Sequence, residues 1–290
     1  MLNTTQLKIK ELKKITKFNV DLIVALTSVL GFLLGKGNLS NIRMIFFLFI
    51  GGFLVTATAH ILNQIIEKDL DKQMKRTRNR PLVTGKISLF EAIIYLVAFS
   101  ITGLFLLYQV SPMAAFISFV SLIMYAFLYT PLKQISRLSI YIGAIPGALP
   151  ILIGYIAATG KIDKIAISLF VFQVLWQLPH FWSIAWIWND EYIKAGYDLM
   201  PIEKGRTKTN ALGTFLSTLL LYPVIFFFLH LKYISLEIFS IAIILTLLFS
   251  VVAYIFYKKR NVKQAKRLML ASVIYLPLIQ LILLINQINL

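Results

Sequence analysis

Asn63, Glu67 and Asp71 recur every four residues. On a helix that spacing stacks the three side chains on one face over two turns. Two carboxylates and an amide offer hard oxygen ligands of the kind Mg²⁺ takes, and Mg²⁺ held by one or two carboxylates is usually shared with substrate phosphates. The cations that follow at once, Lys75, Arg76, Arg78 and Arg80, suit direct contact with phosphate oxygens. Asp69 falls on the opposite side of such a helix unless the helix unwinds there. Spacing alone leaves a second reading open, in which this is a solvated loop whose cations only set membrane topology.

The residues upstream extend the same face. His60 and Thr56 lie on it within the otherwise apolar run 45–61, and polar groups at membrane depth are costly unless they face a cavity or the bundle interior. A lone histidine there is more often a satisfied interior residue than a ligand. A second stripe repeats the arrangement: Gln173, Gln177 and His180 fall at i, i+4 and i+7, with Pro179 able to bend the helix beside them. Glu191 returns to that face if the helix continues past Asn189 and Asp190. Tyr192 and Gln177 complete the expected substrate-binding set. Lys133, just after Tyr129-Thr130-Pro131, reads either as a snorkelling anchor or as a phosphate contact.

The elements that must position these groups are membrane spans. Hydrophobic residues make up 59% of the chain and charged residues 14%, so the composition is that of an integral membrane protein. Nine apolar runs are each long enough to cross a bilayer, at about 18–35, 43–64, 88–109, 112–130, 139–159, 164–187, 210–231, 235–257 and 268–288. The polar breaks are too short for a second domain, which predicts one all-α transmembrane domain over residues 1–290. Glycines and prolines in 143–160 predict close helix packing with a kink.

The net charge of +17 is topological rather than a nucleic-acid footprint. If nine spans alternate, every Lys and Arg except Lys36, Arg43, Lys161, Lys164 and Lys232 falls on one side. The positive-inside rule makes that side cytoplasmic. It carries a basic tail (1–17) and two long loops (65–87 and 188–209), and it leaves the C-terminus outside. There are no cysteines, which removes thiolate catalysis and Cys-based metal sites. No small-residue cleavage site follows the first apolar run, so the first helix is expected to be retained. Absence of an Arg-rich transit peptide favours a bacterial plasma membrane.

A substrate needing both a hard-metal diphosphate site at the interface and an apolar cavity beneath it would be an isoprenyl diphosphate. A polytopic transporter is the reading from another class, although transporters usually place charged sites at the midplane and show repeated halves.

The first motif resembles the Asn-x-x-x-Asp-x-x-x-Asp signature of the UbiA superfamily of intramembrane prenyltransferases, with Glu67 in the middle position. More narrowly, the run Met74-Lys75-Arg76-Thr77-Arg78-Asn79-Arg80-Pro81-Leu82, the Tyr129 to Lys133 break, the 143–150 segment with Gly154, and Leu178-Pro179-His180-Phe181-Trp182 resemble the protoheme IX farnesyltransferase (haem O synthase) family. The resemblance covers roughly residues 55–205.

It implies nine helices around a central cavity. The implied reaction joins the farnesyl group of farnesyl diphosphate to a vinyl group of haem b, with water completing the addition. It implies Mg²⁺ on Asn63, Glu67 and Asp71, with Asp69 in support and Asp190 and Glu191 as the second set. Arg76, Arg78, Arg80 and Lys133 would grip diphosphate. His180, then His60, would contact haem, and product would pass toward a haem A synthase or a terminal oxidase. Trp188 and Asn189 stand where the family commonly has a basic residue before the second acidic pair, and Asp198 where an uncharged residue is usual. A UbiA-type enzyme acting on an aromatic quinone precursor would share the metal site.

Overall fold

The computed structural model describes residues 4–289, and among these all regular structure is helical. In order the helices are α1 (Thr4–Thr16), α2 (Phe18–Leu34), α3 (Ile42–Ile66), α4 (Lys68–Asp71), α5 (Leu89–Val110), α6 (Pro112–Ile123), a π-helical stretch (Met124–Tyr129), α7 (Thr130–Ile135), α8 (Ser139–Thr159), α9 (Lys164–Ile187), α10 (Asn189–Lys194), α11 (Lys208–Leu219), α12 (Leu221–His230), α13 (Leu236–Lys259) and α14 (Val262–Asn289). Among the described residues eight runs are long and apolar enough to cross a membrane, and nine if α1 and α2, bent by 57° at Lys17, form one span. In lipid every backbone polar group must be satisfied within the segment, which is why apolar runs of this length become helices.

Local chemistry sets the ends. Ser88 and Glu91 form a capping box on α5. Ser111 caps α6 with Pro112 at its first turn. Asp163 caps α9 by accepting from the Ile165 and Ala166 amides. The stretch read from sequence as a basic tail is, from Thr4, helix α1. Its last carbonyls, on Ile15 and Thr16, accept hydrogen bonds from Gln64 Nε2 (2.7 Å) and His60 Nδ1 (3.0 Å) of α3. The tail is thereby fastened to the helix that carries Asn63.

Large apolar side chains such as Phe90, Ile101, Phe105 and Phe116 stay exposed on α5 and α6. That suits a lipid-facing surface and would be anomalous in water. Inside, α8 is the most buried span. It packs on α2 at backbone contact: a Cβ at Gly154 would lie 1.8 Å from Ser28 O, and one at Gly31 would lie 2.1 Å from Ile151 O. Gly143, Gly147 and Gly154 are therefore packing residues, against Tyr129, Gln177 and α2, whereas Gly160 caps α8 in the left-handed region. Gly154→Ala is expected to destabilise the protein by about 3 kcal/mol through overpacking, read as a lowered midpoint in thermal unfolding of purified protein.

Alternation of the spans brings the C-terminal ends of α3 and α9, together with α4, α7, α10 and their loops, to one face. The π-helical stretch lies just before this cluster. Pro131 supplies no amide hydrogen, and both the Thr130 amide and its Oγ1 bond back to Tyr125 O. Such stretches are frequent at functional sites, and this one leads directly into Thr130 and Lys133.

Candidate active site

Helix α3 ends at Ile66 and one further turn, α4, follows. The Asp71 amide still bonds to Glu67 O (2.8 Å), so Asn63, Glu67 and Asp71 keep their common face and all three are buried. Asp69 does not join them. Its side chain is 88% exposed and pairs with Lys72, because it lies on the far side of the turn.

The buried carboxylates are met by cations from elsewhere in the chain. Lys133 Nζ donates to Glu67 Oε1 at 3.0 Å, and Tyr197 OH donates to the same oxygen at 3.2 Å. Arg80 donates to Asp71 Oδ2 and lies 4.0 Å from Glu67 Oε2. Lys133 also sits over the rings of Tyr197 (4.9 Å) and Tyr129 (5.9 Å). Burial pushes the Glu67 carboxyl up, but the charge and hydrogen bond of Lys133, with Arg80, more than offset it and hold it below the usual carboxylate range. For Asp71 burial wins: it is raised although Arg80 opposes the shift.

The two loops meet here. Arg76 donates through its amide to Glu191 Oε2 (3.3 Å) and through Nη2 to Tyr192 OH (3.0 Å). The second expected acid behaves differently. Asp190 accepts from Arg206 Nη1 on both oxygens (3.1 and 3.0 Å) and from Asn189 Nδ2 on one (3.5 Å), and Arg206 also donates to Trp186 O. Asp190 thus anchors its own loop. Lys75 and Arg78 are exposed, while Arg80 reaches inward.

Among the described residues no group of three or more His, Asp or Glu side chains converges to hold a metal, and the two expected metal sets, Asn63, Glu67 and Asp71 with Asp69, and Asp190 with Glu191, stand apart. What does fit a hard cation is the donor chemistry of Glu67 and Asp71. Asp71 Oδ1 is buried with no hydrogen-bond partner, a costly state that a cation would relieve. Two carboxylates completed by phosphate oxygens is the arrangement Mg²⁺ favours.

The polar stripe of α9 does not act as one surface. Gln173 turns to Gln280 of α14 (3.0 Å) and Gln177 to Ala144 O of α8 (3.0 Å). His180 Nδ1 meets Ser272 Oγ of α14 (2.8 Å), and its ring stacks on Trp176. Helix α9 also stops at Ile187, so Glu191 reaches the site from α10 rather than along a continuous face. His60 Nδ1 is shared by Asp21 Oδ1 (2.6 Å) and Thr16 O, which gives it a fastening role at the α1–α2 bend.

Several contributors carry no local sequence signal. Tyr197 joins Glu67 across the two loops. Arg137 Nε holds Asp198 Oδ2 at 2.6 Å and Nη1 bonds Ile202 O, so the unusual aspartate latches the second loop. Asn210 uses both amide atoms to bind Ile202, Glu203 and Gly205 backbone groups.

A family model described as the UbiA prenyltransferase family matches residues 24–275. The chain belongs to the UbiA prenyltransferase family. Its match to a protein of Cytophaga hutchinsonii named protoheme IX farnesyltransferase is 41% identical over 277 residues, covering 95% of this chain and 96% of that one. The structure of a digeranylgeranylglyceryl phosphate synthase superposes with a TM-score of 0.81 at 19% identity, over 98% of this chain and 99% of that one. A UbiA homolog from Archaeoglobus fulgidus, bound to GPP and Mg²⁺, has a TM-score of 0.65 at 15% identity, over 94% and 99%. These last two similarities concern the fold of this prenyltransferase.

Proposed function

We propose that this prenyltransferase is a protoheme IX farnesyltransferase, converting haem b, farnesyl diphosphate and water to haem O and diphosphate in a bacterial plasma membrane. The observation that carries the reading is the 41% identity over nearly the whole of both chains to a relative of that name. The acidic face is cytoplasmic by its charge.

In the reaction the farnesyl C–O bond breaks, a C–C bond forms to the vinyl carbon, and water adds to the other vinyl carbon with loss of a proton. Glu67 and Asp71, with Asn63, would hold Mg²⁺, which when bound neutralises charge on the departing diphosphate. Glu191 stands across the loops as the further acid. Lys133 and Arg80, which contact the two carboxylates, are the cations placed to take the diphosphate oxygens. Arg76 joins them, kept in place by Glu191 and Tyr192. The faces of Tyr129 and Tyr197, already serving the Lys133 ammonium, suit stabilisation of the allylic cation.

His180 is the haem ligand in this reading. Ser272 Oγ donates its one proton to Met269 O (2.6 Å), so it accepts from His180 Nδ1. The ring's Nε2 is left with a free lone pair, the form that binds iron. His180→Ala is expected to abolish the Soret shift seen when haem b is added to purified protein. Ser272→Ala is expected to weaken haem binding about tenfold by releasing the ring.

The function is tested by expressing the chain in a bacterium lacking its own haem O synthesis and extracting the haems. Recovery of haem O supports the proposal. A prenylated quinone precursor with haem b unchanged would overturn it.

A further inference from the structure

The face opposite the acidic motifs carries few cations, and three of them meet in one place. Lys36, Lys161 and Lys232 line a crevice of about 340 Å³ between the ends of α2, α8, α12 and α14 and the start of α9, with Tyr155 and Asp163 also in its wall.

Two of these lysines occupy backbone positions that disfavour them. Lys36 and Lys232 have φ of 60° and 55°, the left-handed region that glycine normally fills after a helix. Each closes its helix in the same way. Lys36 N bonds Leu33 O and Gly37 N bonds Phe32 O; Lys232 N bonds Leu229 O and Tyr233 N bonds Phe228 O. A helix dipole accounts for a cation near each end. Lys17 and Arg260, outside the crevice, take the same left-handed positions, so what sets Lys36 and Lys232 apart is that the fold brings the two together against one apolar wall.

The charges in the crevice do not balance. Asp163 spends Oδ1 on the cap of α9. Its Oδ2 accepts from Tyr155 OH at 3.1 Å and lies 3.9 Å from Lys161 Nζ. Lys161 therefore has a carboxylate, whereas no ion pair among the described residues reaches Lys36 or Lys232. Leu34, Ile165 and Leu231 supply an apolar wall to the same crevice, and Ile162, between α8 and α9, and Leu236, the first residue of α13, are exposed.

We propose that this crevice binds the phosphate headgroup of an anionic phospholipid in the leaflet opposite the acidic motifs, with Lys36 and Lys232 as its phosphate contacts. A strained, unpaired pair of cations over an apolar wall matches an amphiphile with one phosphate.

The test uses the full chain in nanodiscs of phosphatidylcholine with or without phosphatidylglycerol, reading retained lipid by native mass spectrometry and stability by thermal unfolding. Phosphatidylglycerol should be retained at least tenfold over phosphatidylcholine and should raise the unfolding midpoint. The double variant Lys36→Gly/Lys232→Gly relieves the backbone strain, so it should fold at least as stably in phosphatidylcholine alone while losing both effects. Arg43→Gln/Lys164→Gln, which removes two cations of the same face outside the crevice, should keep them. Equal retention of the two lipids, or undiminished retention by the glycine variant, would overturn the proposal. So would an equal midpoint rise from inorganic phosphate alone, which would assign the crevice to a soluble anion.

Discussion

Asp71→Asn is expected to lower farnesyl transfer by about 10³-fold while the protein stays folded. The size follows from losing one preorganised charge at the centre of a diphosphate-leaving reaction. Asp71 is fully buried, one oxygen faces Arg80, and the other has no partner. An amide of nearly the same shape keeps the packing and still accepts from Arg80, which is itself 15% exposed and retains access to water. Turnover should therefore collapse with little change in thermal unfolding. Single-turnover assays with saturating substrates check the first half and melting curves the second. A variant that lost activity only by unfolding would contradict the role assigned to Asp71.

Lys133→Met separates the two duties given to the cations. Lys133 and Glu67 form a pair with side chains 10% and 1% exposed. Removing Lys133 takes the nearest cation from a buried carboxylate that keeps Tyr197 OH and, at 4.0 Å, Arg80, at a cost of about 3 kcal/mol. Lys133→Met/Glu67→Gln should recover much of that stability, the coupling expected of direct partners. Ligand binding should move in opposite directions. Without Lys133 on it, Glu67 is freer for a cation, so Mn²⁺ affinity in the absence of diphosphate, read by electron paramagnetic resonance, should rise about tenfold. Farnesyl diphosphate affinity should fall by about as much. Both changes are modest beside a charge pair at contact in this environment, about 4 kcal/mol. A parallel fall in both affinities would mean that Lys133 only supports the fold.

The spans were legible because length and apolarity fix them physically: a bilayer admits helices of one length range and no loose backbone. The Asn63, Glu67 and Asp71 face was legible because period four is a local property, and it survives the break at Glu67 because α4 resumes the same ladder. Period alone does not say which neighbour each side chain meets. That is why Gln173, Gln177 and His180 share a stripe in the sequence and yet turn to α14, α8 and α14 in the fold. Tyr197, Arg137, Arg206 and Asn210 act through partners close to or far from them in the chain but by loop geometry that no periodicity encodes. Asp69 and Asp190 enter the metal set through the family resemblance, which carries positions and not the contacts this chain makes around them. Their actual partners, Lys72 and Arg206, are cations of their own loops.

In the function proposed for this prenyltransferase, the two loops carry a metal-diphosphate site serving prenyl transfer to haem. Purified protein incubated with haem b, farnesyl diphosphate and Mg²⁺, with the extracted haem analysed by mass spectrometry, tests it most directly. The expected product is a haem heavier by one farnesyl group plus water, absent with EDTA and absent with Asp71→Asn. Unmodified haem from folded wild-type protein, or a product that forms equally well with Asp71→Asn, would contradict it.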